Sequence, residues 1–388
     1  MGFSQVGIVG LYASDLAYPC DHGDDGSSKQ AAITLGALVI SHHSALRAIR
    51  HARKTNGYVT WDSIGRAEQR RVLASCAPNA DLIDRSVLQR WGILDDEDEL
   101  HVLVSSGRAR RRTNLLHCHV ISAPLPVDAL MRLEPDLYCT SPAFTALLCS
   151  RGKAVQEILP VLMELLGGYT LPPEATFPIA WGGVWPDDIQ HDSIEQAHYG
   201  CDPAVGMRRL RAAARWTKSS ADIAFRQAVG IALPGSASPM ESILAAVLGA
   251  PMRHGGFACA GLPKGGMLLN DRVDFDGRAV QMASGMPYAI CDVRIPSAMI
   301  DIEYNGAGHE ELSARVHDGQ RNNGLKSMGY EVLVINRDQM RDISALESIA
   351  QYIYQRAGVR FRYRVNGYRT LQGKMLNGLR RGSGLRPV

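Results

Sequence analysis

The order of patterns between residues 288 and 336 constrains this chain most. YAICDVRIP (288–296) and AMIDIEYNG (298–306) are two apolar, β-prone runs separated only by a short turn around Pro296 and Ser297. Strands joined that tightly lie side by side and antiparallel. ELSARVHDGQRNNGLKSMG (311–329) reads as a helix stopped by Gly329, and YEVLVIN (330–336) as a further apolar strand. A helix of that length is enough for a parallel crossover from residue 305 to residue 330. Upstream, SPMESILAAVLG (238–249) is a helix with proline at its first position, and RVDFDGRAVQ (272–281) is a strand with turns. The order predicts a mixed sheet with helices packed on it, an α/β fold (α+β over the whole chain).

This hairpin carries an unusual load of polar side chains. Alternation places Ile290, Asp292 and Arg294 on one face of the first strand, and Asp301, Glu303 and Asn305 on one face of the second. Paired, the strands bring Asp292 beside Glu303 and Asn305. Two neighbouring carboxylates repel, and both stay ionised only with a cation between them. Hard oxygen donors suit Mg²⁺ or Mn²⁺, and such an ion can activate water and stabilise charge on a phosphodiester. Two acids on a solvated sheet face is the plainer alternative, and patterning alone leaves both open.

Asp292, then Glu303-x-Asn305-Gly306, His309, Asp318-x-x-Arg321-x-x-x-Leu325 and Gly329-Tyr330-Glu331-Val332 together resemble the restriction-endonuclease-like PD-(D/E)xK superfamily. The branch they are most similar to is the very-short-patch-repair-like nuclease domains of bacteria. The resemblance covers about residues 236–355. It implies Asp292 and Glu303 as metal ligands, with Asn305 where Asp or Lys usually stands and with Glu241 contributed by the first helix of the domain. It also implies that Arg321 points to the site, and His309 is a candidate for catalysis or phosphate contact. Asn305 departs from the pattern: its carbonyl can ligate, but it can serve neither as base nor as cation. Asp301, two residues before Glu303, could restore the missing charge. Each has a plainer reading. Glu241 fits the capping box Ser238-Pro239-Met240-Glu241, Asp318 and Arg321 fit a surface ion pair, and His309 fits a solvated loop.

Residues 36–165 resemble the AbiEi-type antitoxin or regulator proteins through Ser41-His42-His43-Ser44-Ala45-Leu46, a segment of paired strands, and Thr140-Ser141-Pro142. With 388 residues the chain should form two or three domains. The expected divisions are an N-terminal segment (1–35), an antitoxin-like α+β domain (36–166), a linker and helical region (167–235), the nuclease-like domain (236–356) and a basic tail (357–388). Strands are expected at 99–105 and 115–122, with GRARRR (107–112) as a hairpin tip, and helices at 66–75, 142–167, 203–230 and 342–356. Arg110, Arg111 and Arg112 of that tip, and Arg362, Arg364, Arg380 and Arg381 of the tail, are candidate phosphate contacts, though a charge run is also commonly just a solvated loop. His117-Cys118-His119 reads as plain strand, because no partner cluster of ligands adjoins it in sequence.

The eight cysteines are scattered without a C-x-x-C pair, which argues for a reducing compartment. The N-terminus lacks a basic region ahead of its short apolar run, and Val6 breaks the myristoylation pattern. No apolar run is long enough to span a bilayer. The expectation is a cytoplasmic, divalent-metal-dependent DNA endonuclease acting in phage defence or repair, with RNA not excluded. Two rivals stand beside it: a nucleic-acid-binding regulator whose nuclease fold is inactive, and an antitoxin-like protein that neutralises a partner toxin.

Overall fold

The computed structural model describes residues 37–76, 78, 83–94, 99–109, 113, 116–173, 175, 196–305 and 312–388, with side chains of 312–317 outside that set. The segment 1–35, Arg110 to Arg112 and His309 therefore lie outside the described residues. The rest is an α/β fold of mixed sheets flanked by helices.

The N-terminal half is built on a mixed six-stranded sheet. Its strands are β1 (Leu38–Ile40), β2 (Asp62–Ser63), β3 (Leu100–Val104), β4 (Leu116–Val120), β5 (Leu130–Glu134) and β6 (Leu137–Thr140), in the order β2-β5-β6-β1-β3-β4. Around it lie α1 (His42–Asn56), α2 (Arg66–Ser75) and α3 (Arg85–Arg90). β3 and β4 run parallel, with His101 opposite His117 and Leu103 opposite His119. The hairpin expected at 107–112 is thereby overturned, since a hairpin requires antiparallel partners. The expected helix over 142–167 is two, α4 (Pro142–Cys149) and α5 (Val155–Leu166), because Gly152 turns the chain at φ +78°.

α1 buries Ala45, Leu46, Ala48, Ile49 and Ala52, and also Arg50 and Arg53. Such burial requires partners. Arg50 Nε and Nη2 grip both carboxylate oxygens of Glu164 on α5 at 2.8 and 2.7 Å. Arg53 donates to the Glu164 and Gly167 carbonyls at 2.9 and 2.7 Å. Burial alone would raise the Glu164 carboxyl, but Arg50 and Arg53 hold it below its ordinary value.

β7 (Tyr169–Thr170) and β8 (His198–Tyr199) form a two-stranded ribbon, and α6 (Met207–Trp216) and α7 (Ile223–Ile231) follow. Every residue of α8 (Pro239–Gly249) is buried, as befits a helix apolar all round. It packs against α5 on one side and the second sheet on the other. That sheet has the order β12-β11-β10-β9, with β9 (Leu268–Asp274), β10 (Tyr288–Ile295), β11 (Ile300–Asn305) and β12 (Glu331–Asn336). β9, β10 and β11 are antiparallel neighbours, and β11 and β12 are parallel through the crossover helix α10 (Leu312–Ser327). Met299 takes φ +52° to close the β10–β11 turn. The expected strand at 272–281 ends at Asp274 and gives way to α9 (Gly277–Met282), capped by Asp276 Oδ1 on the Ala279 amide at 2.7 Å.

α11 (Ile343–Arg356) and α12 (Tyr368–Gly382) complete the chain. Much of the segment read as a basic tail is therefore a packed helix, α12, lying against α5 and α8. One apolar core runs from Ala37 to Leu385, and no described helix is long and apolar enough to cross a membrane.

Candidate active site

The β10–β11 register pairs Val293 with Ile302 and Arg294 with Asp301, which sets Asp292 beside Glu303. Glu303 Oε1 accepts from the Asp292 amide at 3.5 Å, and Asp292 Oδ2 accepts from the Tyr304 amide at 3.3 Å. The sheet is not regular here. The β9–β10 pairs run from Tyr288–Asp274 to Cys291–Asp271 and resume at Val293–Leu269. At the gap, Asn270 takes φ +46°. Cys291 packs in a small cluster with Leu325 and Tyr330 beneath α10, while Val293 belongs to the main core. Arg294 nevertheless bonds the Tyr330 hydroxyl at 2.8 Å. Cys291 and Arg294 thus share a face three residues apart, which regular alternation forbids. The break falls at Asp292, so the expected common face for Ile290, Asp292 and Arg294 does not exist.

The break turns Asp292 toward the start of α8. Glu241 there is buried at 7% exposure. Its amide donates to the Ser238 hydroxyl at 3.1 Å, and its Oε2 accepts from the Ala237 amide at 2.8 Å and from Asn270 Nδ2 at 2.7 Å. Glu241 is thus held by a cap and still lies close enough to act on Asp292. Burial, then Glu303, then Glu241 push the Asp292 carboxyl up to about 7.

Asp301 and Glu303 face α10, where Arg321 meets both. Arg321 Nη2 donates to Asp301 Oδ2 at 2.9 Å and to Glu303 Oε1, and Nε and Nη2 donate to the Ile290 carbonyl at 3.1 and 2.7 Å. Its side chain is 13% exposed, whereas Asp318 one turn earlier is exposed. Asp301 is fully buried, and burial together with Glu303 raises its carboxyl to about 9 despite Arg321. The same burial, with Asp301 alongside, pushes the Cys291 thiol up. Asn305 lies exposed at the end of β11, in register with Asn336.

The fold thus gathers Asp292, Glu303, Glu241 and Arg321. Among the described residues no group of three or more His, Cys, Asp or Glu side chains is placed to hold a metal ion as it stands. The chemistry of the set still suits a hard cation: Asp292 lies within electrostatic reach of Glu303 and Glu241, and burial together with these two acids raises its carboxyl.

Of the basic candidates, Arg362 and Arg364 are exposed, as is Arg360. They alternate with Phe361 and Tyr363, whose rings continue an aromatic series from Tyr354 to Tyr368, the last two stacked at 3.5 Å. The half-buried rings anchor this run and leave the three arginines between and beside them exposed. Arg381 lies 3.9 Å from Glu157. Arg380 leaves the set: it is 6% exposed and its Nε donates to the Arg386 carbonyl at 2.6 Å, because α12 packs that face inward.

No protein-family model, curated protein or solved structure matches the chain. The sequence reading passed over one cluster altogether: His42, His43 and His101 gather around the His117–His119 pair that it set aside as plain strand.

Proposed function

We propose that the protein is a divalent-metal-dependent nuclease that hydrolyses phosphodiester bonds of DNA at the β10–β11 hairpin, in the cytoplasm. The observation that carries this reading is the placement of Asp292 within electrostatic reach of both Glu303 and Glu241 at the break in β10, where burial first and then the two neighbouring acids raise it to about 7. A position where acids destabilise one another is one that a cation relieves. Asp292 and Glu303, with Glu241, would hold Mg²⁺ or Mn²⁺, which when bound would supply an activated water and charge stabilisation at phosphorus. Arg321 fixes the Glu303 carboxylate in place and offsets its charge in the interim. The Glu241 carboxylate is oriented by the Ala237 amide and Asn270 before any ligand arrives. Arg360, Arg362 and Arg364 supply phosphate contacts that are blind to sequence.

A second reading has its own support. Arg321 already neutralises Glu303, and Asn305 brings no charge to the end of β11. Both favour a nucleic-acid-binding regulator that keeps the fold without the reaction, with or without a toxin partner. Cleavage of supercoiled plasmid and of single-stranded DNA with Mg²⁺ or Mn²⁺, wild type beside Glu303→Ala, separates the two. The nuclease reading expects metal-dependent cutting that disappears in the variant. Intact DNA with equal binding by both proteins favours the regulator, and Asn305→Asp then reports whether restored charge revives the reaction.

A further inference from the structure

The histidine cluster has no part in the reading above. It surrounds a cavity of about 470 Å³ lined by His42, His43, His101, His117, His119 and Arg151, among others. Five of the twelve histidines of the chain are thus drawn to one place. Three elements deliver them: the first two residues of α1, strand β3 and strand β4. The parallel β3–β4 register sets His101 against His117 and Leu103 against His119, so His117 and His119 stand on one face together with His101. The Ser41 amide donates to the His101 carbonyl at 2.9 Å and brings the start of α1 onto that face.

The rings crowd one another. His42 stacks on His119 at 3.5 Å between centroids, His117 on His119 at 4.5 Å, and His101 on both at 5.0 and 5.1 Å. Such a group cannot carry several charges. Burial, followed by the neighbouring imidazoles, drives His42 down to about 2, and burial with His101 drives His43 to about 3. His42, which lines the cavity, also takes φ +50°, a left-handed backbone uncommon outside glycine.

Ring by ring, the outer nitrogens are engaged and the inner ones are adjacent. His42 Nδ1 lies 3.0 Å from the Ser41 hydroxyl, and His117 Nδ1 lies 3.4 Å from Glu99 Oε2. An oxygen partner on one ring nitrogen is the usual way a metal-binding histidine is oriented, and it leaves Nε2 of each as ligand. His101 Nδ1 and His119 Nε2 are 2.9 Å apart. The two share a hydrogen bond, and a tetrahedral ion about 2.1 Å from each would replace it at a spacing of about 3.4 Å. Four imidazole nitrogens beside a cavity, with no carboxylate among them, select against Mg²⁺ and for a borderline d-block ion.

We propose that this cavity is a d-block metal site, binding Zn²⁺, Co²⁺ or Ni²⁺ through His42, His101, His117 and His119. The stacked rings hold their nitrogens side by side rather than pointed at one centre, and rotation about Cα–Cβ and Cβ–Cγ bonds converges them when the ion enters. The site is independent of the acidic site on β10 and β11, and the two take different classes of cation.

The test uses the full chain, stripped of metal and held in excess Mg²⁺ so that the acidic site does not compete. Titration with Co²⁺ should give one bound equivalent and visible d–d absorption of a tetrahedral, nitrogen-rich ion, bleached by one equivalent of Zn²⁺. His101→Ala combined with His119→Ala should weaken Co²⁺ binding at least 100-fold with an unchanged far-ultraviolet dichroism spectrum. Should that variant fail to fold, wild type still decides: Zn²⁺ should protect His42, His101, His117 and His119 from carbethoxylation by diethyl pyrocarbonate, read by peptide mass mapping. No stoichiometric Co²⁺ binding overturns the proposal. So does a folded double variant that binds as tightly as wild type, or protection confined to other histidines.

Discussion

Replacing Asp292 by asparagine tests the candidate active site without any assumption about substrate. The carboxyl is raised from 3.8 to about 7, by burial first and then by Glu303 and Glu241. At about 1.36 kcal/mol for each tenfold change in proton affinity, that rise sets a ceiling of about 4 kcal/mol. Screening around a partly exposed side chain lowers the expected value to about 1–3 kcal/mol. An acid with a raised folded value costs the fold nothing below its unfolded value. It costs progressively more as pH climbs toward the folded value, because the unfolded chain releases its proton first. Asp292→Asn retains an oxygen for the Tyr304 amide and has no charge to bury. The variant should match wild type near pH 4 and exceed it by about 1–3 kcal/mol at pH 8, with the gap opening between pH 4 and 7. Urea unfolding at each pH reads this directly. Mg²⁺ at ten times its Kd should add about 1.4 kcal/mol to wild type at pH 8, and less to the variant. A difference that is constant across pH, or a variant weaker than wild type at pH 8, refutes the assignment of Asp292 as a charge-crowded acid.

Three further outcomes follow from the geometry. Replacing Arg360, Arg362 and Arg364 together by alanine should lower the slope of log affinity against log salt for duplex DNA by about 2.7, at about 0.9 per phosphate contact; an unchanged slope removes them from the interface. Glu164→Gln leaves the buried Arg50 guanidinium without its carboxylate and should cost about 3–5 kcal/mol in urea unfolding. In Gly324→Ala, the new methyl would lie 2.3 Å from Phe275 Cε2. Forcing α10 away from Phe275 in this way should cost about 1–3 kcal/mol, and on the nuclease reading it should reduce DNA cleavage as well, because α10 carries Arg321.

The second sheet was legible because its signals are local. A short turn and a long helix fix the pairing of β10, β11 and β12 before any long-range contact is known. The side-chain content of the site was less legible. Strand alternation assigns Asp292 a face, and only tertiary packing breaks that alternation, through the left-handed backbone of Asn270 on a neighbouring strand. The burial of Arg380 and the helix α12 depend on α5, more than two hundred residues earlier in the chain. The parallel pairing of β3 and β4 hid the histidines in the same way: alternation shows that His117 and His119 share a face, but nothing in the sequence says that His101 is their neighbour in register and that α1 begins above them. The doublet His42-His43 was the one local hint, and it reads equally well as a helix start.

The last helix has a consequence for how the molecule comes apart. α12 lays Met375, Leu376 and Leu379 into the same core that begins at Ala37. α12 acts as a clasp, joining α5 and α8 and closing one core shared by segments more than three hundred residues apart. A chain ending at Arg356 would bare flanks of α5 and α8 together, so heat should dismantle the intact protein in a single cooperative step. The β9–β12 sheet and the histidine-bearing sheet then share one melting temperature, and a cation bound at either should protect both.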